Sequence, residues 1–578
     1  MKAFLRTFFA MFLSLVALLL LVVVIVVVAV GRDGVKVEDH SYLVIDLHGE
    51  ITEFDPPQGA IGSIIGDDPL TLQRVLDGVE MAAVDERIDG IILKFSDSNG
   101  LGGAMIEEIR AAVRAFRESG KPVYGYGDSI DRRTYLLASA CDSIYMPPAA
   151  YISFLGLAST STHYRGTLEK LGINPQLHQI KDYKSAAEIL TRKDLSPAAR
   201  ENREWLIEEY WEALMASIGE DRGLGRGDIE TLMEHALFTA EEAVEEGLID
   251  RSLYWDELEK MLKGEGAEEL KTVSLEDYSE IDREDLGFKG KKKIAVVHAQ
   301  GMIGGRKSKV DPLLGILMGH ESVGDDLREA REDEDVEAIV FRVDSPGGDA
   351  LTSDLICREV EVTAEAKPVV VSMVDVAGSG GYYISYRADR IVADPLTLTG
   401  SIGSISGKLN VKGLHDKLGI THDFVEKGPM GLLYSNQRDF TEEEWGRYTE
   451  NHWSGFNRWL ADVAEHRKMT FEKAEKLAHG RVWTGAQAKA NGLIDETGGL
   501  GRAIEIAREL AEIPADEKVT LVHYPKEKNL VESILEGKLD LSLALRWAVY
   551  RLIRQELSET WSLLTEGRLD MLDPVDIR

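Results

Sequence analysis

Ala338-Ile339-Val340-Phe341-Arg342-Val343-Asp344-Ser345-Pro346-Gly347-Gly348 reads as a buried strand that breaks into a glycine turn. About thirty residues on come Val376-Ala377-Gly378-Ser379-Gly380-Gly381-Tyr382-Tyr383, then Arg387-Ala388-Asp389-Arg390-Ile391-Val392. The first half carries the same frame. Gly90-Ile91-Ile92-Leu93-Lys94-Phe95-Ser96-Asp97-Ser98 is followed by Ile130-Asp131-Arg132-Arg133-Thr134-Tyr135 and by Ala140-Cys141-Asp142-Ser143-Ile144-Tyr145. Both halves close alike, on Gly247-Leu248-Ile249-Asp250 and Gly492-Leu493-Ile494-Asp495. Asp142 and Asp389 are 247 residues apart, Gly247 and Gly492 are 245 apart. Such spacing marks a tandem duplication of a whole domain rather than a short solenoid repeat. In that register Ser379 falls opposite Arg132, so the first copy has no matching serine.

Within each copy short β-branched runs alternate with amphipathic helical stretches. In the second, residues 294–298, 338–343, 368–373 and 390–393 read as strands, and 325–331 and 351–366 as helices between them. The fold class is therefore α/β: two tandem domains, each a parallel sheet with crossover helices. The boundaries expected are 40–262 for the first domain, 263–291 for an acidic, polar linker, and 292–512 for the second. Residues 513–578 are expected to form a helical extension, in which Leu543, Trp547, Tyr550, Leu552 and Ile553 make an apolar stripe over 542–564. That stripe suits packing against the body or a neighbouring subunit; Arg546, Arg551 and Arg554 also suit a membrane surface.

Residues 8–30 contain no charge and a single serine, Ser14. As a helix they span about 34 Å, enough for a hydrocarbon core and too long for a cleaved signal peptide. Residues 1–31 are thus expected to be a transmembrane anchor. Lys2 and Arg6 precede the span, while Arg32 and Lys36 follow beside Asp33 and Glu38, which puts the amino terminus in the cytoplasm. In a bacterial cell both domains then lie outside the inner membrane. With 66 basic against 100 acidic residues the net charge is −34, which argues against nucleic acid as a partner. Cys141 and Cys357, one per half, exclude a disulfide framework though not a single bridge, and read as buried thiols.

In parallel sheets chemistry collects in loops at the strand carboxyl ends. Both glycine-rich turns sit there. A serine followed by two glycines at the start of a helix exposes its hydroxyl, and the amide behind it points at a bound carbonyl. A second amide donor fits Gly347-Gly348, whose missing side chains allow close approach. Ser379 is the candidate nucleophile. Ser401 is a rival that lacks the double glycine, and Ser345 a weaker one because Pro346 removes the adjacent donor. A serine needs a base, yet no histidine lies between His320 and His415. The base is either a histidine brought from elsewhere or a desolvated lysine. Lys184, in Ile180-Lys181-Asp182-Tyr183-Lys184-Ser185-Ala186-Ala187, has no counterpart in the second half; by residue type alone it is one lysine among many, with Lys408 and Lys427 as rivals.

Ser345-Pro346-Gly347-Gly348, Gly378-Ser379-Gly380-Gly381-Tyr382-Tyr383, Leu398-Thr399-Gly400-Ser401-Ile402-Gly403 and Asp182-Tyr183-Lys184-Ser185-Ala186 together resemble the signal peptide peptidase A (protease IV) family in its long, tandem form. The resemblance spans nearly all of the chain. It implies a Clp/crotonase-like fold in each copy and a serine/lysine endopeptidase. By position Ser379 is then the nucleophile, Lys184 the general base, and Gly348 and Gly380 the oxyanion-hole donors. It further implies a bacterial inner-membrane protein facing the periplasm, assembled as a homotetramer and acting on remnant signal peptides. No cofactor and no metal are implied. Gly378 departs from the alanine common in the family. Two other classes remain: a crotonase-type enzyme acting on acyl thioesters, with no use for Lys184, and an inactive membrane scaffold.

Overall fold

The computed structural model describes residues 36–54, 70–99, 101–264, 266–311 and 314–526. The expected anchor at 1–31 and the helical stripe at 542–564 lie outside the described residues. Among the described residues no helix is long and apolar enough to cross a membrane.

The first half is built on a six-stranded sheet of β1 (Ser41–Glu50), β2 (Ile88–Asn99), β3 (Val123–Gly127), β4 (Ser143–Met146), β5 (Arg251–Ser252) and β6 (Thr272–Ser274). Their spatial order is β6-β1-β2-β3-β4-β5, and every pairing is parallel. Parallel neighbours require crossovers, supplied here by α1 (Leu72–Val84) and α2 (Gly103–Arg117). Ile91, Ile92 and Leu93 run consecutively on β2 and are all fully buried, as in a sheet covered on both faces. Two further helices of this half are α3 (Arg132–Ala138) and the long α4 (Pro197–Arg222). Ser196 caps α4 by accepting from Ala199 N at 3.1 Å, with Pro197 in the first helical position, where no amide is needed.

In the second half the strands are β7 (Lys292–Gln300), β8 (Val336–Ser345), β9 (Val369–Gly378), β10 (Arg390–Ala393), β11 (Leu398–Gly400), β12 (Val482–Thr484), β13 (Glu496–Thr497) and β14 (Val519–Tyr524). They follow the path β12-β11-β9-β8-β7-β14, with β10 pairing β9 and β13 pairing β10. Only β11–β12 is antiparallel. Helices α5 (His320–Glu332) and α6 (Ala350–Ala364) cross between β7, β8 and β9, and the single turn α7 (Gly380–Tyr383) follows β9. Asp349 caps α6 by accepting from Thr352 N at 2.8 Å. The strands and helices read from hydrophobic periodicity all lie within or overlap these elements.

The duplication is visible in matched bonds. Tyr135 Oη donates to Leu248 O at 3.0 Å and Tyr382 Oη to Leu493 O at 2.9 Å. Asp250 accepts from Ile144 N and Asp495 from Ile391 N, each at 2.8 Å. Cys141 and Cys357 are free and buried.

The halves interlock. Residues Asn174–Gln179 of the first pair antiparallel with Ile405–Asn410 of the second, Gln179 opposite Ile405 and Asn174 opposite Asn410. Asn202 and Val482 exchange two bonds of 2.9 Å. The Asp375 carboxylate, on β9, accepts from Gly102 N, Ala104 N and Met105 N at 2.8–3.2 Å and so caps α2 from the other half. Deeper in, Arg342 forms bidentate pairs with two carboxylates of the first half. It reaches Glu53 at 2.7 and 3.2 Å and Glu108 at 2.8 and 2.9 Å. Arg342 is 1% exposed, so these bonds stand in place of water.

Two stretches differ from expectation. Residues 272–286, inside the presumed linker, add β6 to the first sheet and dock Tyr278, whose hydroxyl donates to Asp85 at 3.0 Å. In the presumed helical extension, β14 pairs with β7 at the sheet edge. Both strands are short and set among charged residues, so periodicity alone gives little to read.

Candidate active site

Ser379 follows β9 and stands at the N-cap position of α7, where its side chain makes no capping bond. Its backbone sits at φ 55°, ψ −111°, a strained conformation for a residue with a side chain. The strand holds it there: Ser379 N donates to Gly400 O at 2.9 Å, and Gly378 pairs with Gly400 across β9 and β11. Glycine is required around it. A Cβ on Gly347, where φ is +100°, would meet Gly380 N at 2.5 Å and Ser379 Cβ at 2.8 Å. A Cβ on Gly380 would meet Gly348 N at 3.0 Å. The amides of Gly348 and Gly380 therefore flank the serine. Among the described residues neither donates a backbone hydrogen bond.

Lys184 arrives from the first half. Its side chain is 8% exposed, and Nζ donates to the carbonyl and the hydroxyl of Ser401, both at 2.8 Å. Ser401 directly follows Gly400, and a Cβ built on Gly378 would lie 3.6 Å from Ser401 Cβ. The amine is thus held at the strand end that carries Ser379. Burial alone pulls the Lys184 pKa from the usual 10.5 to about 7. The loop is fixed from both sides: Tyr183 N donates to His479 O at 3.0 Å, and Ile180 N donates to Ser404 O at 2.8 Å. Gly480, at φ +77°, presses on Lys184 so closely that a Cβ there would lie 2.4 Å from its amide nitrogen.

Of the rivals, Ser401 is the serine hydrogen-bonded to the Lys184 amine, whereas Ser345, Lys408 and Lys427 are placed elsewhere. Ser345 Oγ is engaged by the Gly301 carbonyl at 2.7 Å and by Gly347 N at 3.2 Å, a turn-forming role. Lys408 Nζ donates to Leu433 O at 3.0 Å and lies over the Phe440 ring, and Lys427 is exposed. Ser401 accepts from the lysine through both its carbonyl and its hydroxyl. His479, Gly480 and Arg481 were not legible as site residues. The Arg481 guanidinium lies 4.0 Å from the Tyr183 ring and 4.8 Å from that of Trp205, and its carbonyl accepts from Ser401 N at 2.8 Å. Nothing in their local sequence marks them, because they act through packing against a segment nearly 300 residues away. Among the described residues no cluster of histidine, cysteine and carboxylate side chains is arranged to hold a metal ion.

A duplicated parallel α/β frame, a half-buried strained serine flanked by two glycine amides, and a desolvated amine define a hydrolase-type site. Comparison with known proteins gives the family. The profile of Peptidase family S49 matches residues 115–268 and 361–514, once in each half, and the chain belongs to that family. It is 35% identical over 508 residues to the chloroplastic serine protease SPPA of Arabidopsis thaliana, covering 87% of this chain and 74% of that protein. With Protease 4 of Salmonella typhi it shares 32% identity over 522 residues, covering 86% and 82%. Protease 4 of Haemophilus influenzae is 28% identical over 512 residues, covering 85% and 82%. The resemblance read from the motifs holds across both copies.

Proposed function

We propose that the chain is a membrane-anchored serine endopeptidase in which Ser379 is the nucleophile and Lys184 the general base. The observation that carries this reading is the buried Lys184 amine, hydrogen-bonded to Ser401 at the strand end that carries Ser379. A neutral amine has two hydrogens and one lone pair. With both hydrogens given to Ser401, the lone pair is free to accept the Ser379 proton. The serine oxygen then attacks the peptide carbonyl, and the developing oxyanion is held by the amides of Gly348 and Gly380. Lys184 returns the proton to the leaving amine. In the second half-reaction it takes a proton from water, which hydrolyses the acyl-enzyme.

Membership of Peptidase family S49 and relatives described as serine protease and Protease 4 support the peptidase class. On the same resemblance we assign apolar, extended peptides such as remnant signal peptides as substrates. We further read residues 1–31 as a membrane anchor with the domains outside a bacterial inner membrane, and a homotetramer as the assembly. A thioester enzyme on a crotonase-like frame has no need of a buried amine beside its serine. The test is labelling of the full chain with a fluorophosphonate, followed by mass spectrometry of the adduct. Label on Ser379 that falls sharply in Lys184→Ala supports the dyad. Label elsewhere, or none on folded protein, refutes it.

A further inference from the structure

The first half has kept the frame of a site and changed its contents. The matched tyrosines Tyr135 and Tyr382 fix the register, which sets Arg132 opposite Ser379 and Leu155-Gly156 opposite Ile402-Gly403. In the second half the turn beginning at Ser401 holds the Lys184 amine. In the first, Arg132 Nη1 donates to the Leu155 carbonyl at 3.2 Å and to the Gly156 carbonyl at 2.8 Å. Each copy holds one basic group against the same turn. In the first copy that group is its own.

Arg132 is 8% exposed. A guanidinium so far from water ordinarily meets a carboxylate, because an unpaired buried charge is costly. Acidic residues outnumber basic ones 100 to 66 in this chain, yet the bonds that Arg132 makes among the described residues go to those two carbonyls. Burial, reinforced by the neighbouring Arg133 and partly offset by Asp131, pulls its pKa down to about 10. Both hydrogens of Nη1 are committed. Nε and Nη2, the edge that grips a carboxylate with two parallel bonds, have no acceptor among the described residues. The adjoining strands expose apolar side chains, Leu155 at 47%, Tyr151 at 56% and Leu237 at 58%, with the exposed Asp131 paired to Ser153 on the same face. Ser153 pairs directly with Leu237, so Tyr151, two residues before Ser153, shares a face with Leu237.

We propose that the vacated site of the first half is a carboxylate-binding subsite. Arg132 grips the free carboxyl terminus of an apolar peptide, whose last side chains lie on Leu155, Tyr151 and Leu237. The peptide as ligand class rests on the peptidase reading; the subsite itself does not depend on the Ser379–Lys184 pair.

The test uses the full chain carrying Ser379→Ala, so that no probe is cut. The probe is an amino-terminally fluoresceinated octapeptide of leucine and alanine, made once with a free carboxyl terminus and once as the carboxamide. Fluorescence anisotropy is expected to show the acid binding about tenfold more tightly than the amide, the worth of a charged hydrogen-bonded pair. Arg132→Gln abolishes the difference. Leu155→Glu, a surface change that brings a carboxylate to the edge, abolishes it too and decides the matter if Arg132→Gln does not fold. Equal binding of acid and amide to the parent protein overturns the proposal, as does a preference that survives either substitution in folded protein. Fluorophosphonate labelling of the unsubstituted chain reads the nucleophile separately, so either idea can fail alone.

Discussion

The Lys184 amine donates to both the carbonyl and the hydroxyl oxygen of Ser401, 217 residues away in the chain. These two bonds orient the group, and burial sets its proton affinity. The same residue therefore links the pH dependence of activity to that of stability.

In the dyad reading only the neutral amine accepts the serine proton. We expect kcat/KM on a fluorogenic apolar peptide to rise tenfold per pH unit below about 7 and to level off above it. A flat profile between pH 5 and 8 contradicts the assignment.

The stability effect has a definite sign. Lysine in the unfolded chain keeps its proton to about 10.4, whereas Lys184 in the fold loses it at about 7. Between those values the unfolded state binds more protons, so this residue's contribution to stability improves as pH climbs from 7 towards 10. Below 7 its full cost is present, on the order of several kcal/mol. Lys184→Met should thus melt higher than the parent at pH 6, with the gap closing by pH 10 in thermal unfolding.

Ser401→Ala removes one of the two acceptors and leaves the carbonyl. Activity should fall by about ten- to a hundredfold, the scale of a lost orienting contact, with stability lowered by only about 1 kcal/mol. The fluorophosphonate adduct should still map to Ser379. Loss of all adduct from folded Ser401→Ala, with adduct retained in Ser379→Ala, would exchange the two roles.

Lys184 reaches the second half within one polypeptide. Mixing Ser379→Ala chains with Lys184→Ala chains should therefore restore no activity at any ratio, even if subunits assemble freely. Recovery in the mixture, measured by peptide cleavage, would show that the working pair is shared between copies.

Arg342 is wedged between Glu53 and Glu108. Removing only the cation leaves two carboxylates without a counter-charge, so Arg342→Met should cost about 3–5 kcal/mol in chemical denaturation. Adding Glu53→Gln and Glu108→Gln should recover much of that loss.

The frame was legible because its strands advertise themselves. Val336–Ser345 and Val369–Gly378 carry the apolar runs 338–341 and 369–371 and lead into glycine turns, and the register between copies follows from Asp142 and Asp389. The candidate nucleophile, Ser379, stands out for the same reason, at the glycine turn that ends such a strand. Lys184 was not, from residue type alone: it stands ahead of a short helical turn with no local pattern, and its properties come from Ser401, Gly403 and Gly480 in the other half. The ribbon formed by Asn174–Gln179 and Ile405–Asn410 was equally hidden. Asn-Pro-Gln-Leu-His-Gln has little strand character and pairs only because the partner strand is there.

The strand pairing between Asn174–Gln179 and Ile405–Asn410 also sets an order of events during synthesis. The amine leaves the ribosome early, in the leading copy, and the alcohol follows nearly two hundred residues later. On the dyad reading, a growing chain carries no competent cutting centre until the trailing copy has folded and closed onto the leading one. Fragments that stop short of that point are harmless to their neighbours.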